Sequence, residues 1–235
     1  MLVISHTQMG AFERGAEDGF LERLRGHLAR RHPAFLPRFP RPVQTLILAR
    51  MTERARSRGA TWESSIALYC DLMEGVAPNF DAVPEIASAI GPPDRGADER
   101  IAALAERVPA QAWARAEAGR DELALYAPVG LDDASPAERL AAALPLVLWD
   151  SVTADGAVAA AERALALAAR HGFAEHAGGL ADAGLALAGW QALYGSTPAA
   201  RSASWLRDVS DPGRPAAERL ALLRLRIMLD HGRRV

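Results

Sequence analysis

Apolar residues recur at spacings of three and four through most of the chain, and no alternating apolar and polar segment competes with them. That period puts side chains on one stripe of an α-helix, so the chain is expected to fold as helix packed on helix, without a sheet. Met9, Phe12, Ala16, Phe20, Leu24 and Leu28 line one face of a first helix, which must stop before Pro33. The stretch HPAFLPRFPRP then places four prolines in eleven residues and cannot be regular helix. Phe35, Leu36 and Phe39 are expected to strap this extended connection onto the core.

Pro42 suits the first turn of a second helix, with Val43, Leu46, Ile47 and Met51 inward and Gly59 placed to end it. Thr61 is expected to cap a third helix through its hydroxyl. That helix carries Trp62, Ile66, Tyr69, Met73 and Val76 on one stripe, and Pro78 stops it. A short helix is expected over 84–90. Further helices are expected over 99–108, 110–126, 135–149, 155–171, 173–194, 198–209 and 215–231, with a Ser135 and Glu138 capping box and a stop at Gly172. The fold class is therefore all-α, a multi-helix bundle of about nine helices whose C-terminal half is open to a stacked-hairpin arrangement. The similar pieces AERLAAAL, AERALALAA and AERLALLRL begin at 137, 161 and 217, so no fixed period supports a solenoid.

A length of 235 residues suits one ordinary domain or two small ones. The glycine and two prolines at 91–93, with the polar run to Asp98, mark the best candidate boundary. It separates a region 1–91, basic and then acidic, from an Ala-rich bundle 97–235, unless the two pack as a single domain. Charge follows the same order. Residues 1–60 hold eleven arginines against five acids, residues 61–130 five against twelve, and residues 131–235 eleven against twelve. The basic and acidic parts are expected to attract each other within the fold, the alternative being a basic surface offered to an acidic partner.

Every one of the 27 basic residues is Arg. A P-loop, a protein kinase and a pyridoxal-phosphate enzyme each need a lysine at the phosphates or on the cofactor, so those three classes are excluded. Cys70 is the single cysteine, which rules out an intrachain disulfide and any CxxC motif, and its helical setting reads as a small buried hydrophobe. The N-terminus shows no basic region followed by a long apolar run. The longest apolar run, 140–149, contains Pro145 and is too short to span a bilayer. A cytoplasmic protein with no membrane span is the expectation.

The side chains that carry chemistry form no familiar motif. His27 and His32 lie five apart across a helix end, as do His171 and His176, so neither pair shares a face in the manner of a helical zinc site. There is no Glu-x-x-His and no Gly-x-Ser-x-Gly. The acidic doublet Asp132 and Asp133 reads as a turn before a helix start. No catalytic, cofactor or metal residue is assigned, and no cofactor is expected. The row Arg50, Arg54 and Arg58 falls at helical spacing of four and, with Trp205, forms the candidate partner surface. Arg23 and Arg30 join that row only in a nucleic-acid reading, which is the weaker one. Any of the five tryptophans that proved exposed would become a candidate interface hot spot.

Taken together, Gln8, Met9, Phe12, Phe20, His27, Leu28, Pro33, Gly59, Tyr69, Leu72, Met73, Phe80 and Asp81 form a pattern covering roughly residues 5–85. The pattern resembles small α-helical bacterial proteins encoded near type VI secretion spike and effector genes. The resemblance implies an accessory to effector handling, such as an adaptor or chaperone, with no catalytic residue to carry over. It makes Tyr69, Met73, Phe80 and Asp81 a structural signature. Phe80 is then expected to cap the core, and Asp81 to accept backbone amides or an Arg from the first 60 residues, because a buried carboxylate needs such a partner. The functional expectation is a non-enzymatic protein-binding module, an adaptor, chaperone or immunity-like partner of a secreted effector. The alternatives are an enzyme with a carboxylate or metal site between helices, and a nucleic-acid-binding protein.

Overall fold

The three-and-four periodicity becomes nine α-helices in the computed structural model, with a further helical stretch at 218–223, and no strand occurs among the described residues. Described are residues 6–39, 41–131, 134–147, 154–173, 211–216 and 218–223. The helices are α1 (His6–Arg31), α2 (Arg41–Ser57), α3 (Glu63–Gly75), α4 (Pro84–Ile90), α5 (Ala97–Ala102), α6 (Leu104–Arg107), α7 (Ala110–Ala118), α8 (Pro136–Val147) and α9 (Ala154–Arg170). Beyond Phe173 the helix expected over 173–194, the helix expected over 198–209 and the part of that over 215–231 past Leu223, together with Asp132, Asp133, Trp149, Trp190 and Trp205, lie outside the described residues.

Helices α2 and α3 pack side by side. Helix α1 lies against both, α5 packs on α3, and α8 packs on α2 and pairs with α9. One continuous apolar cluster runs from Phe20 through Tyr69, Phe80 and Ile101 to Leu140 and Ala164, so residues on both sides of the 91–93 turn share a core. The proline-rich connection is strapped down as its sequence requires, with Phe35, Leu36 and Phe39 all buried. Phe35 meets Phe39 edge to face at 5.6 Å, and Phe39 meets Tyr126 at 6.4 Å. Among the described residues, no helix is long and apolar enough to cross a membrane.

Several helix ends follow local chemistry. At the end of α2 the Ala60 amide reaches the Ala55 carbonyl at 3.1 Å and the Gly59 amide reaches Arg56 at 2.9 Å, a Schellman turn with Gly59 at φ +89°. The same pattern closes α9, where Phe173 bonds back to Ala168 and Gly172 stands at φ +74°. The Ser135 and Glu138 capping box forms in both directions, at 2.8 and 3.3 Å. Gly59 is doubly constrained, since an added Cβ would sit 2.7 Å from the Ala97 Cβ and 2.8 Å from the Pro93 Cα. Left-handed strain alone costs about 1–2 kcal/mol. Gly59→Ala should therefore lower stability by about 2 kcal/mol or more in urea titration, and an unchanged midpoint would remove this constraint.

Two expected helices differ in the structure. The segment 99–108 is divided into α5 and α6 at Ala103, and nothing in the structure explains that break. The segment 110–126 is helical only to Ala118, after which a 3-10 turn spans Glu122–Leu125. The α-helix stops at Gly119, whose amide bonds back to the Arg115 carbonyl, and beyond it Leu123, Ala124, Leu125, Tyr126 and Ala127 are buried in succession, which one face of an α-helix cannot do. The Asp121 carboxylate starts the turn by accepting the Leu123 amide at 3.0 Å.

Thr61 is not the cap of α3. Trp62 occupies that position without a capping side chain of its own, and the carboxylate of Asp98, from α5, takes over the role. Asp98 accepts the Thr61 amide at 3.0 Å and the Trp62 amide at 3.1 Å, while the Thr61 hydroxyl donates to it at 2.5 Å. Burial alone would raise the Asp98 carboxyl, but these bonds and one from Ser65 outweigh it and hold the group below its ordinary range. Losing a cap costs about 0.5–2 kcal/mol, so Asp98→Ala should fall in that range, with Asp98→Asn recovering part of it in the same urea titration.

Candidate functional site

Among the described residues, a buried concentration of charge is centred on Asp81. Pro78 ends the run after α3, and the chain turns through Phe80–Ala82 before α4 begins at Pro84, which delivers the Asp81 side chain into the interior. Asp81 is 1% exposed. Arg54 reaches Oδ1 through Nε at 3.1 Å and Nη2 at 2.8 Å, and Arg58 reaches Oδ2 through Nε at 2.7 Å. The Tyr69 hydroxyl donates to Oδ2 at 2.6 Å. Arg54 lies in the last turn of α2 and Arg58 just past its end, Tyr69 stands on α3, and the carboxylate joins the two helices.

Burial by itself would push the Asp81 carboxyl upward. The Arg54 charge and hydrogen bonds, the Tyr69 hydroxyl and Arg58 together outweigh it and hold the group below the usual carboxylate range. Burial and the Asp81 charge push the Tyr69 phenol well above its ordinary value, so it stays protonated and donates. The hub thus contains an ionised carboxylate, two guanidinium groups and a neutral phenol, and the outer side of the half-buried Arg58 leaves the remaining positive charge in contact with water.

The expected signature residues Tyr69, Met73, Phe80 and Asp81 are all buried in this region. The Phe80 ring lies 4.8 Å from Tyr69 on one side and stacks on Trp113 at 6.3 Å on the other. The arginine row does not form one exposed stripe. Arg54 is turned inward, Arg58 is half-buried on Asp81, and Arg50 pairs with Glu53 at 2.6 Å. The basic early chain meets the acidic middle of the chain here, and again where Arg23 bonds Glu63 at 2.5 Å.

A second cluster joins the end of α1 to α3. His27 Nε2 lies 2.8 Å from Asp71 Oδ2 and His32 Nε2 lies 3.1 Å from Oδ1, with the Arg31 Nε 3.7 Å away. An ionised carboxylate only accepts, so each ring donates through Nε2. Sequence spacing alone put the two histidines on different helical faces. They converge because His32 lies just past the helix end, where the chain can wrap back towards α3. Among the described residues, no group of three or more His, Cys, Asp and Glu side chains is placed to hold a metal ion. The neighbouring Cys70 is buried, and burial together with the Asp71 charge pushes its thiol far up, so no thiolate nucleophile is presented there.

Arginine also closes helix C-termini, a role that the sequence did not disclose. Arg120 donates to the Glu74 and Val76 carbonyls at 3.0 Å each, covering the end of α3. Arg100 reaches the Ile90 and Pro92 carbonyls at 2.5 Å each at the end of α4. Arg219 donates to the His171 carbonyl at the end of α9 and stacks over the Phe173 ring at 4.9 Å. A planar fork of several donors suits adjacent carbonyls, whereas an ammonium acts as a point charge.

Among the described residues Trp62, Val129 and Val158 are the large apolar side chains left exposed, and Trp62 is the largest of them. Trp62 is 53% exposed, and its backbone is fixed by the Asp98 cap and flanked by the exposed Arg23 and Glu63 pair. These features define an all-α protein whose internal charges are used to lock helices together, with a tryptophan side chain exposed to solvent. No protein-family model matches the chain, and neither curated proteins nor solved structures give a match.

Proposed function

We propose that this chain is a non-enzymatic protein-binding module, an adaptor, chaperone or immunity-like partner of a bacterial secreted effector, acting in the cytoplasm. Trp62 is the observation that carries this reading: a large aromatic, 53% exposed, whose backbone amide bonds the Asp98 carboxylate. Tryptophan is enriched among the residues that dominate interface energies, and a backbone already bonded in place leaves the side chain to be ordered on binding. The resemblance of residues 5–85 to proteins encoded beside type VI secretion spike and effector genes supplies the class of partner. The inward or paired state of Arg50, Arg54 and Arg58 gives a nucleic-acid role less support, because those cations already serve Glu53 and Asp81.

The test is to mix the purified protein with each neighbouring gene product and follow complex formation by size-exclusion chromatography with light scattering. A defined complex is expected, and Trp62→Ala should weaken it about 30-fold, the effect of a hot spot of about 2 kcal/mol. Because the indole is exposed, the variant should keep the wild-type circular dichroism and urea midpoint. Failure to find a complex with any neighbour would overturn the reading, and a complex indifferent to Trp62→Ala would move the interface to another surface.

A further inference from the structure

We draw no further inference here: the strongest candidate, the side-chain cluster of His27, His32 and Asp71 at the seam between α1 and α3, belongs to the site already described, and its polar atoms bond one another with nothing in the structure to show what ligand would meet them.

Discussion

Asp81→Asn should destabilise the protein by about 3–5 kcal/mol, the range for removing one partner of a buried ion pair. The amide keeps the shape of the side chain, so the loss isolates charge from packing. Arg54 is 6% exposed and would keep its cation in the interior without the carboxylate that compensates it. The Tyr69 hydroxyl would also lose a charged acceptor, and such hydrogen bonds contribute about 1.5–3 kcal/mol, a figure that overlaps the first and is not added to it. Arg58 should matter less, because its outer side remains in water. Urea unfolding followed by circular dichroism gives the difference directly.

The same group sets an acid limb. Because the folded carboxyl lies below its ordinary value, its contribution is fully present above the usual carboxylate range and is lost as pH falls through the folded value. The wild type should therefore lose stability on acidification from neutral pH, more steeply than Asp81→Asn, whose site has no proton to take up. The contributions of the exposed Glu63, Glu85, Asp94 and Glu138 and of the buried Asp98 are common to both proteins and cancel in the comparison. A variant that lost under about 1 kcal/mol and kept the wild-type acid limb would show that Asp81 does not hold α2 to α3.

Phe80→Ala should cost about 3–5 kcal/mol, because a fully buried ring leaves both its transfer free energy and a cavity behind. Two consequences distinguish this loss from a generic core defect. Trp113 loses the ring stacked on it, so its fluorescence should shift towards that of a wetter indole. Tyr69 loses the wall that holds its ring beside Asp81, so the Phe80→Ala and Asp81→Asn losses should not add, and a double-mutant cycle should show a coupling of about 0.5–3 kcal/mol. Phe80→Leu, which keeps most of the volume, should fall well short of the alanine loss. Simple additivity, with Trp113 emission unchanged, would contradict the placement of Phe80 between the two.

The helices themselves were legible because their signals are local. Proline after α1, the glycine that ends α2, the capping box of α8 and the Gly172 stop all act through backbone groups within about five residues, a range the sequence displays directly. That Asp81 takes an Arg from the first 60 residues was implied only by the resemblance of residues 5–85, and a buried charge does need such a partner. The period of the sequence determined which residues face inward, and so the all-α class and most of the core.

Only the tertiary structure decided which side chains meet. Asp98 rather than Thr61 closes the start of α3, from 36 residues away in the case of Trp62, because α5 packs beside that end. Asp71 collects two histidines that helical geometry alone would have kept apart, and Arg120 covers the end of α3 from 46 residues along the chain. The choice among many arginines for Asp81 likewise fell to Arg54 in the last turn of α2 and Arg58 just beyond it, at the end that meets α3. Periodicity orients each helix about its own axis but carries no information on which neighbour lies against it, so long-range ion pairs, the exposure of Trp62 and the partial burial of Trp113 were settled by helix packing.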